Sequence, residues 1–271
     1  MSSDPIWDRR AAAYDSLRWV HDPDLLGWVE RHAVAAIVGA PGVRDAIEGG
    51  APVCEVGVGT GALTVRLARH GFPLLGLDVS DRMLARCRER LAGDRRRVRL
   101  AQVFPDAPLS IVAPGGVAAV VSRMVLHHAP CPPAEQVRRW VEAIRPGCAV
   151  VVAEGPPPVR DRTHPAWSLY VDAMARKEPG RWTFTTADVA EWLLDAGCVE
   201  VRTAERWTHD NSLRAWLRGN DADPAVAEEV ERLHAEAFDL PEVREAYRMT
   251  RAFDGDLVMR WRHSVVSGVR S

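Results

Sequence analysis

The sequence predicts an α/β fold, a doubly wound, mostly parallel sheet with helical lid additions. Short β-rich runs alternate with helical patterns through the middle of the chain. The first run ends in a glycine-rich turn and the second in an acid. The connections between them are short, as right-handed parallel crossovers require.

The elements follow in order. The first 40 residues are helical by pattern. Residues 52–56 form an apolar strand that runs into Gly57, Gly59 and Gly61, and a helix follows with Leu63, Leu67 and Ala68 on one face. Residues 73–77 form the second strand, which stops at Asp78. Ser80 or Asp81 then caps a helix that runs to Leu91. Residues 98–102, 117–122 and 149–153 supply three more strands. The helix between the last two carries Val137, Val141 and Ile144 and ends at Pro146-Gly147. Beyond Glu154 the run Gly155-Pro156-Pro157-Pro158 breaks the rhythm. Helices are expected over residues 165–177 and from Thr185 to Gly197, and a strand over 199–207. Two or three helices should fill 213–247, and a last strand 256–266. The resulting division is an N-terminal helical lid (1–50), a ligand-binding core (51–210, with a helical insertion at about 160–180), a helical insertion (211–250) and a last strand with its tail (251–271).

Composition excludes several functions. The chain has 271 residues, a net charge of −2 and 27% charged residues, a globular mix without the basic excess of a general nucleic-acid binder. Of its 35 basic residues, Lys177 is the only lysine. It has no glycine run before it, so it belongs to no phosphate-binding loop. Its place in Arg-Lys-Glu-Pro suggests the exposed end of a helix, which argues against Schiff-base chemistry. The five cysteines form no C-x-x-C pair, so neither a metal site nor a disulfide framework is expected. No signal peptide or membrane span is read, and a cytoplasmic location is expected.

The glycine turn points to a nucleotide-type ligand. Glycines after a buried strand admit a ligand close to the backbone, and the next helix offers unpaired N–H groups. The spacing in Glu55-Val56-Gly57-Val58-Gly59-Thr60-Gly61 departs from the dinucleotide G-x-G-x-x-G. No Tyr-x-x-x-Lys pair exists either, because Ala173 stands four residues before Lys177. Both facts disfavour a dinucleotide-dependent reductase. Asp78, 17 residues beyond Gly61, is near the offset of about 20 at which a carboxylate accepts two ribose hydroxyls.

At these residues the sequence resembles the class I S-adenosylmethionine-dependent methyltransferases. The segments that carry the resemblance are Val53 to Gly61, Leu75 to Ser80, Val121 to His128, Ile144 to Cys148 and Thr185 to Gly197. They cover residues 51–207 in the family's order. The nearest subgroup is the small-molecule branch resembling quinone-biosynthesis methyltransferases, on the strength of Tyr14-Asp15 near the start. The resemblance implies a Rossmann-like, seven-stranded sheet and S-adenosylmethionine as cofactor. It also implies roles: Gly57 and Gly59 under the methionine part, Glu55 holding that turn or reaching the amino group, and Asp78 on the ribose. Met83 would lie against adenine, Ser122 at the end of the fourth strand facing the cofactor, and Tyr14 as a closing lid. The family often has Gly-Asp-Ala after the third strand. Here Gln102-Val103-Phe104-Pro105-Asp106 takes its place, with Phe104 expected beside adenine and Asp106 in the polar role.

Methyl transfer requires position and a dry cavity, with a base only for an acceptor that must lose a proton. His128 is the preferred base, with His127 beside it and Glu154 at the carboxyl end of the fifth strand. Arg123 either meets an anionic substrate group or pairs with a nearby acid. Of the ten tryptophans, Trp140 alone falls between the glycine turn and the fifth strand, while Trp7, Trp19, Trp28, Trp167, Trp182 and Trp216 fall in the helical additions. Two or three of these are expected to line a pocket for an apolar or aromatic small molecule. The expected partner is thus a small-molecule substrate, with no nucleic acid and no membrane, and a homodimer is allowed. The alternative is an enzyme of the same fold that binds S-adenosylmethionine but catalyses a non-methylating cyclisation or rearrangement.

Overall fold

The computed structural model describes residues 5–12, 14–91, 97–104 and 112–271. Asp106, and the side chain of Trp19, lie outside what is described. Four helices precede the sheet: α1 (Pro5–Arg10), α2 (Arg18–His21), α3 (Pro23–Gly39) and α4 (Val43–Glu48). The sheet then builds through β1 (Val53–Val56), α5 (Thr64–Arg69), β2 (Leu74–Asp78), α6 (Asp81–Arg90), β3 (Val98–Gln102) and β4 (Val117–Arg123). It continues with α7 (Pro133–Ala143) and β5 (Ile144–Glu154). Next come α8 (Pro165–Lys177), α9 (Thr186–Asp195) and β6 (Cys198–Trp207). After β7 (Asn211–Ser212) come α10 (Leu213–Gly219), α11 (Pro224–Ala237) and α12 (Pro241–Tyr247). The chain closes with β8 (Thr250–Arg251), β9 (Leu257–Met259) and β10 (Arg262–Arg270).

Seven strands form one sheet in the order β3-β2-β1-β4-β5-β10-β6. The β1–β2, β1–β4, β2–β3 and β4–β5 pairs are parallel, and β10 runs antiparallel to both β5 and β6. The order reverses at β1, so the carboxyl ends of β1 and β4 border the crevice where such sheets bind ligands. The central strands are buried on both faces, which is why they are rich in Val, Ala and Cys, with the buried Glu55 as the exception inside β1.

Local signals start the helices. Ser80 Oγ accepts from the Met83 N–H at the head of α6, and Thr185 forms a reciprocal capping box with Asp188 at the head of α9. Three expectations are corrected. Ile144 belongs to β5, where it pairs with Val117, and the helix stops one residue earlier; Pro146 biases its neighbour towards extended backbone. The single strand expected over 256–266 is two. β9 belongs to a small sheet ordered β7-β9-β8, and β10 enters the main one. The segment 1–50 is only partly a lid. Leu25, Val29, Ala33 and Ile37 of α3 join the main core with the sheet strands. A second core unites α8, α10, α11, α12 and β9 around Tyr170, Met174, Leu213, Val230 and Tyr247. Among the described residues, no helix is long and apolar enough to cross a membrane.

Candidate active site

Two cavities meet at the carboxyl end of the sheet. The first is lined by Gly57, Gly59, Asp78, Met83 and Val103, and by Gln136 and Trp140 of α7. The second lies between the end of the main sheet and the helical addition; Tyr170, Met174 and Lys177 of α8, Trp216 and Trp261 are among its walls. Trp7, Tyr14, Met124 and His128 line both and so form the shared wall.

The glycine turn is shaped by sterics. Gly57 has φ +70°, and a Cβ there would lie 2.3 Å from Val125 Cγ2, so no side chain fits. Gly59 has φ +53°, and a Cβ would come within 3.7 Å of the Tyr14 ring. Its N–H donates to Asp78 Oδ2 at 2.8 Å, while the Ser80 N–H donates to Oδ1 at 2.9 Å. Burial pushes the Asp78 carboxyl up to about 6, against the hydrogen bonds from Ser80, Gly59 and Val79. A carboxylate has about four acceptor sites, so lone pairs remain for a ligand. Glu55 is buried beneath the turn, and burial pushes its carboxyl up to about 8 against a hydrogen bond with Thr64.

Tyr14-Asp15 divides its labour. Asp15 accepts from Thr60 Oγ1 at 2.6 Å and from Arg90 Nη2 at 3.0 Å, which fastens the turn to the glycine loop and α6. Tyr14 thereby faces both cavities, and burial raises its hydroxyl to about 12, so it stays protonated. Helix α1 is pinned by Ser80 Oγ donating to Asp8 (2.6 Å) and by Arg10 donating to Glu178 (3.0 Å).

The loop after β4 is organised by one carboxylate. Glu154 Oε1 accepts from the N–H groups of Val125 (2.9 Å) and Leu126 (2.7 Å), and Oε2 lies 2.6 Å from His127 Nδ1. Met124, the residue before this loop, has φ +59°, a strained value for a non-glycine and one met at functional sites. His128 packs edge-on against Trp7 and beside the His127 ring. Its Nε2 lies 3.9 Å from Glu178. Burial, then the neighbouring His127, hold its imidazole well below the usual range, so it is neutral at pH 7.

Most of the residues expected at the site converge, and some do not. Tyr14, Gly57, Gly59, Asp78 and Met83 line the first cavity; His127 lines the second and His128 both. Phe104 is a correction: it is 47% exposed and lines neither cavity, because Val103 is the residue turned inward after β3. Glu154, Glu55 and Ser122 are buried and also line neither, so Glu154 is a positioning residue and not a catalytic one. Arg123 lines the first cavity and stands among the charges of Glu55, Glu154 and Asp22. Two tryptophans of the additions, Trp7 and Trp216, reach the second cavity, and Trp261, from the segment expected as the last strand, joins them.

The largest correction is Lys177. Its side chain is 2% exposed, not the free end of a helix, and Nζ donates to Glu178 at 2.7 Å. Glu178, Arg181 and His263, also unanticipated, line the same cavity. A signal for Lys177 existed: Ala166, Leu169, Tyr170, Ala173 and Met174 form the buried stripe of α8, and position 177 continues it. The ligand atoms of His127, His128 and Glu178 lie within 4.8 Å of one another. Glu178 is already held by three cations, which would repel a metal ion.

A mostly parallel open sheet with a left-handed glycine turn, an acid at the end of its second strand and two adjoining cavities is the layout of a nucleotide-type binding site. Residues 53–147 match the methyltransferase domain family. The YcgJ protein of Bacillus subtilis has the same fold, with a TM-score of 0.69 at 12% identity over 80% of this chain and 91% of that one. A protein of Bacillus halodurans C-125, provisionally assigned as a methyltransferase, gives 0.66 at 14% identity, with coverages of 80% and 91%. Phosphoethanolamine N-methyltransferase 2 of Haemonchus contortus, solved with S-adenosyl-L-methionine, gives 0.51 at 17% identity over 81% of this chain and 48% of that one. No curated protein sequence matches significantly. Similarity to a methyltransferase domain over residues 53–147, together with the shared fold, makes S-adenosylmethionine the cofactor to test against the first cavity.

The first cavity fits that cofactor. The Val125 side chain leaves no room for a side chain at Gly57, so the turn stays bare backbone, and Asp78 has acceptor capacity for hydroxyls. Gln136 Nε2 and Trp140 Nε1 on its wall are buried donors without a partner among the described residues. Buried donors are normally paired, so a ligand rich in acceptors suits them.

Proposed function

We propose that the enzyme methylates oxygen or carbon of an apolar or aromatic small molecule, natural-product or quinone-like, bound in the second cavity. One observation carries this reading: the two cavities share the wall of Trp7, Tyr14, Met124 and His128, so an acceptor and the cofactor would meet there. The bound cofactor supplies an already activated methyl group on a sulfonium. The protein's share is position, exclusion of water and a destination for the acceptor's proton. Gly57 and Gly59 bring the backbone close, Asp78 accepts the ribose hydroxyls, and Met83 packs against the base. The protonated Tyr14 and the edge of Trp7 close the wall. Neutral His128 takes the proton when the acceptor is a phenol, alcohol or enol. His127, fastened by Glu154, holds the loop that presents His128.

Calorimetry with S-adenosylhomocysteine and mass spectrometry of incubated small-molecule extracts test the proposal. Expected are micromolar binding that Asp78→Ala reduces at least tenfold, and a compound that gains CH₂ only when S-adenosylmethionine is added. A substrate converted without gaining CH₂ would overturn it in favour of a cyclisation or rearrangement.

A further inference from the structure

The second cavity carries a charge imbalance that methyl transfer to an apolar acceptor does not use. Arg10, Lys177 and Arg181 converge on the carboxylate of Glu178. Arg10 Nη1 and Lys177 Nζ donate to Oε1 at 3.0 and 2.7 Å, and Arg181 Nη1 donates to Oε2 at 2.9 Å. The side chains of Lys177, Glu178 and Arg181 are all at least nine-tenths buried. The fourth cation on the wall, Arg262, is already paired with Glu205. Glu154 lies off the cavity behind His127; even with its charge set against the three cations, one positive charge remains. His127, His128 and His263 add no charge at neutral pH, because burial holds all three below the usual range. Buried cations in excess of acids are costly unless an anion joins them.

Two further features point to a ligand. Arg181 Nη2 donates to the Tyr170 hydroxyl at 3.1 Å, yet its Nε–H is buried without a partner among the described residues. Lys177 has three N–H donors and spends one on Glu178, while its ammonium stands 4.6 Å from the centre of the Trp216 ring. Moreover, every other basic side chain of this protein is arginine. At the one buried position beside Trp216 it carries the compact, three-donor ammonium instead.

We infer that Lys177 and Arg181 form a binding site for the carboxylate of an aromatic acid, whose ring rests against Trp216 and Trp261 and whose methylated atom faces His128. The inference rests on the reading of the second cavity as the acceptor chamber. It narrows the acceptor from apolar molecules in general to those carrying an oxyanion.

The single lysine makes the test direct. In protein labelled with ¹³C-lysine, one Cε–Hε signal reports on Lys177. The full-length protein is titrated at constant ionic strength with 3-phenylpropionate, phenyl phosphate and the uncharged 3-phenylpropanol. The carboxylate is expected to move the signal saturably and the alcohol to leave it in place. Phenyl phosphate binding at least tenfold more tightly than the carboxylate would overturn the choice of carboxylate over phosphate. By calorimetry, Lys177→Met and Arg181→Gln should each weaken carboxylate binding at least tenfold, while Lys177→Arg retains most of it. S-adenosylhomocysteine affinity, expected to stay within about threefold, checks that each variant is folded. Equal shifts with acid and alcohol, or none with either, would overturn the inference. Methylation of an uncharged acceptor with an unmoved Lys177 signal would overturn it and leave the methyltransferase reading intact. Carboxylate binding by a protein that adds CH₂ to no compound of the small-molecule extracts would sink that reading and not the site.

Discussion

Asp78 shows how one residue links fold, charge and ligand. Its two oxygens tie the glycine turn to the start of α6, and burial brings its carboxyl up to about 6. A group so raised is protonated as pH falls through about 6, and a protonated oxygen no longer accepts a hydroxyl. S-adenosylhomocysteine affinity should therefore weaken several-fold between pH 7.5 and pH 5.5. Asp78→Asn should bind at least tenfold more weakly at pH 7.5 and show a flatter profile; calorimetry at the two pH values checks both. The place of Asp78 on the wall of the first cavity was legible in the sequence because a strand end and an offset sufficed to locate it. The burial of Lys177 was not, because the Arg-Lys-Glu-Pro string reads as surface. Only the packing of α8 against α11 and α12, with Trp216 of α10 beside the ammonium, takes that string inside. Phe104 failed in the opposite direction: a large aromatic just after the third strand looked useful, but the chain leaves β3 with Val103 turned into the cavity and Phe104 turned to solvent.

At the scale of elements, the decisive piece is the loop from β4, held by Glu154 on β5. The strand end and the histidine pair were legible. The task of Glu154 was not, since an acid at a sheet's carboxyl end suits both catalysis and loop anchoring, and only the register of β4 on β5 distinguishes them. Glu154→Ala leaves two backbone N–H groups and His127 Nδ1 without their acceptor in a buried place. We expect a loss of about 3–5 kcal/mol in stability by urea denaturation. Because this loop carries Met124 and His128 but not Asp78, turnover should fall further than cofactor affinity. Unchanged turnover in the folded variant would contradict the positioning role.

At the scale of the whole molecule, the last strand closes the structure. Among the described residues β6 is an edge strand whose only neighbour in the sheet is β10, and β10 also carries Arg262 and His263 of the second cavity. A chain ending at Trp261 should lose cooperative unfolding by circular dichroism and bind no S-adenosylhomocysteine. A cooperative transition in that truncated protein would show that the sheet closes without β10. The tryptophans belong to this scale as well. Trp7, Trp216 and Trp261 lie 254 residues apart from first to last in the chain yet face one chamber, because the N-terminal lid, the helical addition and the hairpin before β10 fold back over the sheet.

The sequence by itself determined the class, the strand succession, the glycine turn and its acid, since these rest on periodicity and short-range backbone chemistry that neighbours in the chain enforce. Tertiary structure alone decided which sheet the closing strands joined, that Glu154 anchors a loop, and that Lys177 sits beside Arg181 over a buried carboxylate. Those outcomes depend on contacts between segments far apart in the chain, and burial there sets the charge state and partner of each group.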